Sequence, residues 1–183
     1  MSLELRHLVL VGMMGVGKSV VGRRLAARLS RPFVDTDCLV EQRVGRTVPE
    51  IFAEPGEAAF RALEATTIRE ALDSDVWSVV AFGGGAVLDP ANRDLARERA
   101  LVVWLHAPPE ELARRVSASM RRSGGTARPL LAGGGAPEAV LETLSRQRED
   151  AYRAAAHLRI DTTRKSPSQV VTAVLAATGW RAP

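Results

Sequence analysis

Gly12-Met13-Met14-Gly15-Val16-Gly17-Lys18-Ser19 is the stretch on which the fold of this chain turns. Its glycines let the backbone fold tightly enough for successive N–H groups to face one anion, at the positive end of the helix that follows. The octet therefore has the form of a phosphate-binding loop. Lysine supplies a compact ammonium that reaches β- and γ-phosphates, and the Ser19 hydroxyl suits a Mg²⁺ shell. Gly12, Gly15, Val16, Gly17, Lys18, Ser19 and Val20 are thus the expected nucleotide contacts.

The flanks supply the required context. Leu8-Val9-Leu10-Val11 is a short apolar run, as a strand buried on both faces of a parallel sheet requires. Beyond the loop, Val20, Val21, Leu25 and Leu29 recur at helical spacing, with Arg23, Arg24 and Arg28 on other faces. Further strands are expected at Pro32–Val34, Ser78–Phe82, Leu101–Leu105 and Leu158–Ile160. Helices are expected at Lys18–Leu29, Cys38–Val44, Pro49–Ala53, Glu57–Leu72, Pro90–Glu98, Pro109–Ala118, Pro137–Ala155 and Pro167–Thr178. Such alternation predicts an α/β fold with a parallel sheet and right-handed crossovers, binding ligands at the carboxyl ends of the strands.

With 183 residues, 46% of them apolar, the chain reads as one globular domain, residues 1–183. No apolar run approaches membrane-spanning length, and Glu4 and Arg6 interrupt any signal-peptide core, so neither membrane nor export is expected. A single cysteine, Cys38, fits a reducing cytoplasm and is read as packing, with neighbouring Asp37 opposing thiolate formation. The net charge is +4 and the pI about 10.1. Aromatics make up 4% of the chain, too few to supply stacking platforms for bases, so a pocket for small anions is favoured over nucleic acid.

Three further stretches carry chemistry. Asp35-Thr36-Asp37 closes the second strand; on an extended segment its two carboxylates face the same side, one suited to metal-bound water and the other to a hydroxyl. The alternative is that Asp37 merely caps the next helix. Gly83-Gly84-Gly85 clears side chains from the third strand's end, where a ligand could meet backbone, and no Walker B aspartate stands there. Ser119–Gly135, glycine-rich around Arg121, Arg122 and Arg128, has the composition of a mobile lid.

Together these residues resemble the shikimate kinases over nearly the whole chain. The resemblance rests on Gly12–Ser19, Phe33-Val34-Asp35-Thr36-Asp37, Ile51-Phe52 with Gly56-Glu57 and Phe60-Arg61, Gly83-Gly84-Gly85, Arg128-Pro129-Leu130-Leu131, and Arg148 with Tyr152. It implies a three-layer P-loop kinase fold: a five-stranded parallel sheet of order 2-3-1-4-5, helices on both faces, a substrate-binding helical region at about 37–64 and a lid at about 119–135. It also implies phosphorylation of the shikimate 3-hydroxyl by ATP with Mg²⁺, in the pathway to chorismate, by a cytoplasmic monomer.

The resemblance makes Lys18, Asp37 and Arg128 catalytic, with Asp37 holding shikimate hydroxyls and serving as base. Arg61 and Arg148 would grip the substrate carboxylate, Gly83, Gly84 and Gly85 would line it, and Phe52, Phe60, Pro129 and Leu130 would wall it. A planar guanidinium fork matches a carboxylate where lysine offers only a point charge. Arg121 would stack on adenine, with Lys165 and Pro167 in the adenine-side loop, and Ser19 and Asp35 would serve the metal. Departures from the family pattern are Val20 in place of a hydroxyl, Met14 facing substrate, and Phe82 before the glycines. The rivals are another small-molecule P-loop kinase, such as a gluconate kinase, and an inactive nucleotide-binding module.

Overall fold

In the computed structural model, which describes residues 7–122 and 136–180, β1 (His7–Val11) has every residue buried. It lies at the centre of the sheet for that reason. The elements that follow are α1 (Lys18–Leu29), β2 (Phe33–Asp35), α2 (Thr36–Val44), α3 (Val48–Ala53), α4 (Glu57–Asp73) and β3 (Val79–Ala81). After a single 3₁₀ turn at Ala86–Leu88 come α5 (Pro90–Arg99), β4 (Ala100–His106), α6 (Pro109–Arg122), α7 (Pro137–Ala155), β5 (Leu158–Asp161) and α8 (Pro167–Thr178).

The strands form one parallel sheet of order β2-β3-β1-β4-β5, as expected. The order switches direction at β1, between β3 on one side and β4 on the other, so the crevice for a ligand opens where the phosphate-binding loop leaves β1. Helices α1 and α8 pack together on one face, while α4, α5 and α7 pack in sequence on the other. Apolar burial divides into two clusters. The larger fills the space around the sheet, from Leu8 and Val80 to Leu105 and Tyr152. The smaller consists of Val40, Ile51 and Phe60, with Val48, Phe52 and Leu63 against it, and it holds α2, α3 and α4 together.

Helix starts follow local chemistry. Ser166 and Gln169 form a capping box with Pro167 at the first turn of α8, and Thr47 with Glu50 does the same for α3. Among the described residues no helix is long and apolar enough to cross a membrane. The packing expected of Cys38 is not found: its side chain is exposed at the start of α2. The opposition to thiolate formation does hold, because partial burial and then Asp35 and Glu41 raise the thiol's pKa.

Candidate active site

The phosphate-binding loop runs from β1 into α1, and Gly17, at φ 102, occupies the N-cap in a conformation that glycine alone adopts cheaply. The Lys18 ammonium donates to the carbonyls of Gly12 at 2.8 Å and Met13 at 3.2 Å, which keeps it over the loop. Ser19 donates its hydroxyl proton to Asp35 Oδ2 at 2.7 Å. Met14, Gly15 and the residues through Val20 line a cleft of about 810 Å³, within the range of small-ligand sites.

The two carboxylates of Asp35-Thr36-Asp37 do not share an extended segment, contrary to expectation. Asp35 is itself the N-cap: its Oδ1 accepts from the Cys38 N–H at 3.5 Å, and the helix begins at Thr36. Asp37 therefore stands in the first turn of α2. The Gly83 N–H donates to the Thr36 hydroxyl at 3.0 Å, pinning the start of α2 to the end of β3. Burial raises the Asp37 pKa, Lys18 acts against that rise, and Asp35 adds to it. A carboxylate with a raised pKa that still faces an ammonium suits a proton acceptor.

Gly83 and Gly85 also serve differently from expectation, since protein side chains take the cleared space. A Cβ at Gly83 would lie 2.3 Å from Glu64 Oε1 and 2.5 Å from Asp37 Oδ1; one at Gly85 would lie 2.4 Å from Arg61 Nη2. Alanine at either position would displace a charged group of the site. Gly84 and Gly85 line the cleft, whereas Gly83 lies behind Asp37 and Glu64.

Glu64 was not singled out by the sequence. It is 1% exposed, accepts from Arg61 at 2.5 Å and lines the cleft. Burial pushes its pKa up from 4.5 to about 7, against the pull of Arg61. A carboxyl whose folded-state pKa lies above its unfolded value binds more protons in the native state over that interval. Stability falls there as pH rises. Wild-type unfolding free energy should carry this loss between pH 4.5 and about 7. Glu64→Gln should lack it, a difference that urea titrations across that window will measure. Parallel profiles for the two proteins would refute the assignment.

Next to this group, Arg148, 5% exposed, donates to the Gly84 carbonyl at 3.2 Å, and the Tyr152 hydroxyl donates to the same oxygen at 2.5 Å. Both residues come from α7. Phe52 and Phe60 pack at 4.9 Å between ring centroids, with the Arg61 guanidinium 5.8 Å and 5.3 Å from their centres. The aromatic pair thus lines the cleft while Phe60 also anchors the small core.

The family described as "Shikimate kinase" matches residues 14–178. The chain belongs to the shikimate kinase family. The shikimate kinase of Symbiobacterium thermophilum is 48% identical over 169 residues, 92% of this chain and 94% of that protein. That of Rhodococcus jostii is 43% identical over 92% of this chain and 95% of its own length. Among solved structures, the shikimate kinase from Acinetobacter baumannii in complex with shikimate superposes with a TM-score of 0.86, at 35% identity, covering 96% of this chain and 93% of that one. A gluconokinase from Sinorhizobium meliloti, 21% identical with a TM-score of 0.61, covers 96% of this chain and 92% of its own, and shares the fold.

The remaining residues expected from the shikimate kinase resemblance divide four ways. Lys165 and Pro167 line the cleft beyond the phosphate-binding loop. Gly12 sits beneath the loop against the Leu105 carbonyl. Arg121 is exposed and is not among the cleft's lining residues; Arg115, earlier on α6, is. Arg115 donates to the Val16 carbonyl at 3.2 Å and to the Thr162 carbonyl at 2.6 Å, tying the phosphate-binding loop to the end of β5. Arg128, Pro129, Leu130 and most of the expected lid lie outside the described residues.

Among the described residues no three histidine, cysteine or acidic groups gather as a metal cage. The paired Ser19 hydroxyl and Asp35 carboxylate are hard oxygen donors beside Lys18, the kind of partial shell that Mg²⁺ completes with phosphate oxygens and water.

Proposed function

We propose that this enzyme transfers the γ-phosphoryl group of ATP to the 3-hydroxyl of shikimate, forming shikimate 3-phosphate on the route to chorismate and aromatic amino acids. One observation carries the reading. In the cleft that the phosphate-binding loop lines, a carboxylate, Asp37, stands with two guanidinium groups, Arg61 and Arg148, near Gly84 and Gly85. That set recognises an acceptor bearing both hydroxyls and a carboxylate, because each guanidinium fork pairs with carboxylate oxygens and Asp37 accepts hydroxyl protons. The name of the Acinetobacter baumannii complex supports the same acceptor.

In the reaction, the acceptor oxygen bonds to the γ-phosphorus as the bond to the bridging oxygen breaks, the hydroxyl proton passes to Asp37, and ADP departs. Such transfer asks the protein mainly for position and charge. Loop N–H groups and Lys18 meet the phosphates, while Phe52 and Phe60 wall the acceptor from water. Bound Mg²⁺, held by Ser19 and Asp35, would neutralise phosphate charge. Arg128 is assigned as a second cation on that charge, Arg121 to adenine, and Pro129 to the acceptor wall, with 119–135 as a lid of the one domain. We take the enzyme to work as a monomer in the cytoplasm, a compartment that the single cysteine fits.

ADP release measured with shikimate and with gluconate as separate acceptors tests the assignment. Turnover is expected with shikimate alone. Equal or faster turnover with gluconate would overturn it.

A further inference from the structure

We infer that Tyr152 is a positioning residue for the acceptor side of the cleft, acting through the Gly84 peptide and the Arg148 guanidinium; the inference rests on the shikimate assignment above. Tyr152 is 1% exposed and is not among the residues lining the cleft, so it does not meet the acceptor itself. Its ring stacks on Trp104 at 5.7 Å between centroids and 21° between planes, anchoring it to β4. That anchorage leaves its hydroxyl one direction to point.

The hydroxyl has two partners in the site. It donates to the Gly84 carbonyl at 2.5 Å, with the Met13 sulfur at 3.7 Å, and shares the Gly84 oxygen with Arg148, whose Nη1 donates to it at 3.2 Å. Burial holds the phenol's pKa above its ordinary value, so it stays a donor across the working range. A trans peptide sets C=O and the following N–H on opposite sides. A Gly84 oxygen held by Tyr152 and Arg148 therefore also fixes the direction of the Gly85 N–H, between two residues that line the cleft. One hydroxyl thereby holds the peptide on which the guanidinium also rests.

The arrangement also explains why the position carries tyrosine. Phenylalanine would satisfy the stack on Trp104 and the surrounding core equally well. The hydroxyl is buried beside a charged group, an environment that only a satisfied donor and acceptor tolerates.

Tyr152→Phe keeps the ring and removes the hydroxyl. In ADP-release assays the shikimate KM should rise about tenfold, a hydrogen bond's worth in a charged setting, while the ATP KM stays within about twofold. The Kd for shikimate measured calorimetrically without ATP should rise by the same factor. A role confined to packing would lower the melting temperature and leave both shikimate constants in place, which would overturn the inference. Tyr152→Phe combined with Arg148→Lys should cost less than the product of the two single losses, because both act on one peptide; a strictly multiplicative loss would also overturn it. Absence of shikimate-dependent turnover in the wild type would overturn the acceptor assignment, and this inference with it. An unchanged shikimate KM in an active variant would overturn this inference alone.

Discussion

Replacing Lys18 by methionine should lower kcat about a thousandfold while the protein stays folded, the scale seen when one preorganised donor is removed from a transition state's developing charge. Methionine keeps an unbranched apolar stem of similar reach, so the loop and the cleft wall retain their packing. It loses the ammonium held over the loop by the Gly12 and Met13 carbonyls. That ammonium also feels the Asp37 carboxylate, so it stands between the loop and the proton acceptor. Arginine could not substitute: its longer, planar head does not fit a point between loop carbonyls. The measurements are ADP release at saturating substrates and a thermal melt of the same sample. A kcat within tenfold of wild type would remove Lys18 from the chemistry.

Asp37→Asn should lower kcat by about a hundredfold to ten-thousandfold, the usual span for a positioned general base, with the ATP KM little changed. Asparagine preserves shape, so it still fits against Gly83, where a Cβ would come within 2.5 Å of the present carboxylate. It cannot accept the hydroxyl proton. It also removes a negative neighbour that helps raise the Glu64 pKa and that attracts Lys18. A solvent-exposed bystander carboxylate would show neither effect, and near-normal kcat in Asp37→Asn would count against its role as proton acceptor.

The phosphate-binding loop and the alternation of strands and helices were legible because they rest on local signals, whereas the sheet order came from the resemblance to the shikimate kinases. A buried run such as Leu8–Val11, a glycine loop and a helical period all lie within twenty residues of one another. Asp35-Thr36-Asp37 was misjudged because β2 is only three residues long, too short for period-2 alternation to be told from a cap followed by a helical turn. What decides between them is the Cys38 N–H taking the Asp35 carboxylate. Glu64 escaped notice for another reason. Three residues after Arg61 on a helix, it reads as an ordinary surface pair. Its burial is tertiary, produced by Gly83 arriving from β3 with no side chain of its own. Arg115 is similar, since its partners Val16 and Thr162 lie far away in sequence.

The separation of apolar burial into a large cluster around the sheet and a small one under Phe60 has an evolutionary reading. Of the residues assigned to the acceptor, Asp37, Phe52, Phe60 and Arg61 ride on helices joined by the small cluster, while Arg148 rides on α7, which packs in the large one. A lineage can therefore accept drift in Val40, Ile51 or Phe52 and try new acceptors without putting the nucleotide machinery at risk. Such modular tolerance is a route by which one P-loop scaffold could come to serve many small alcohols.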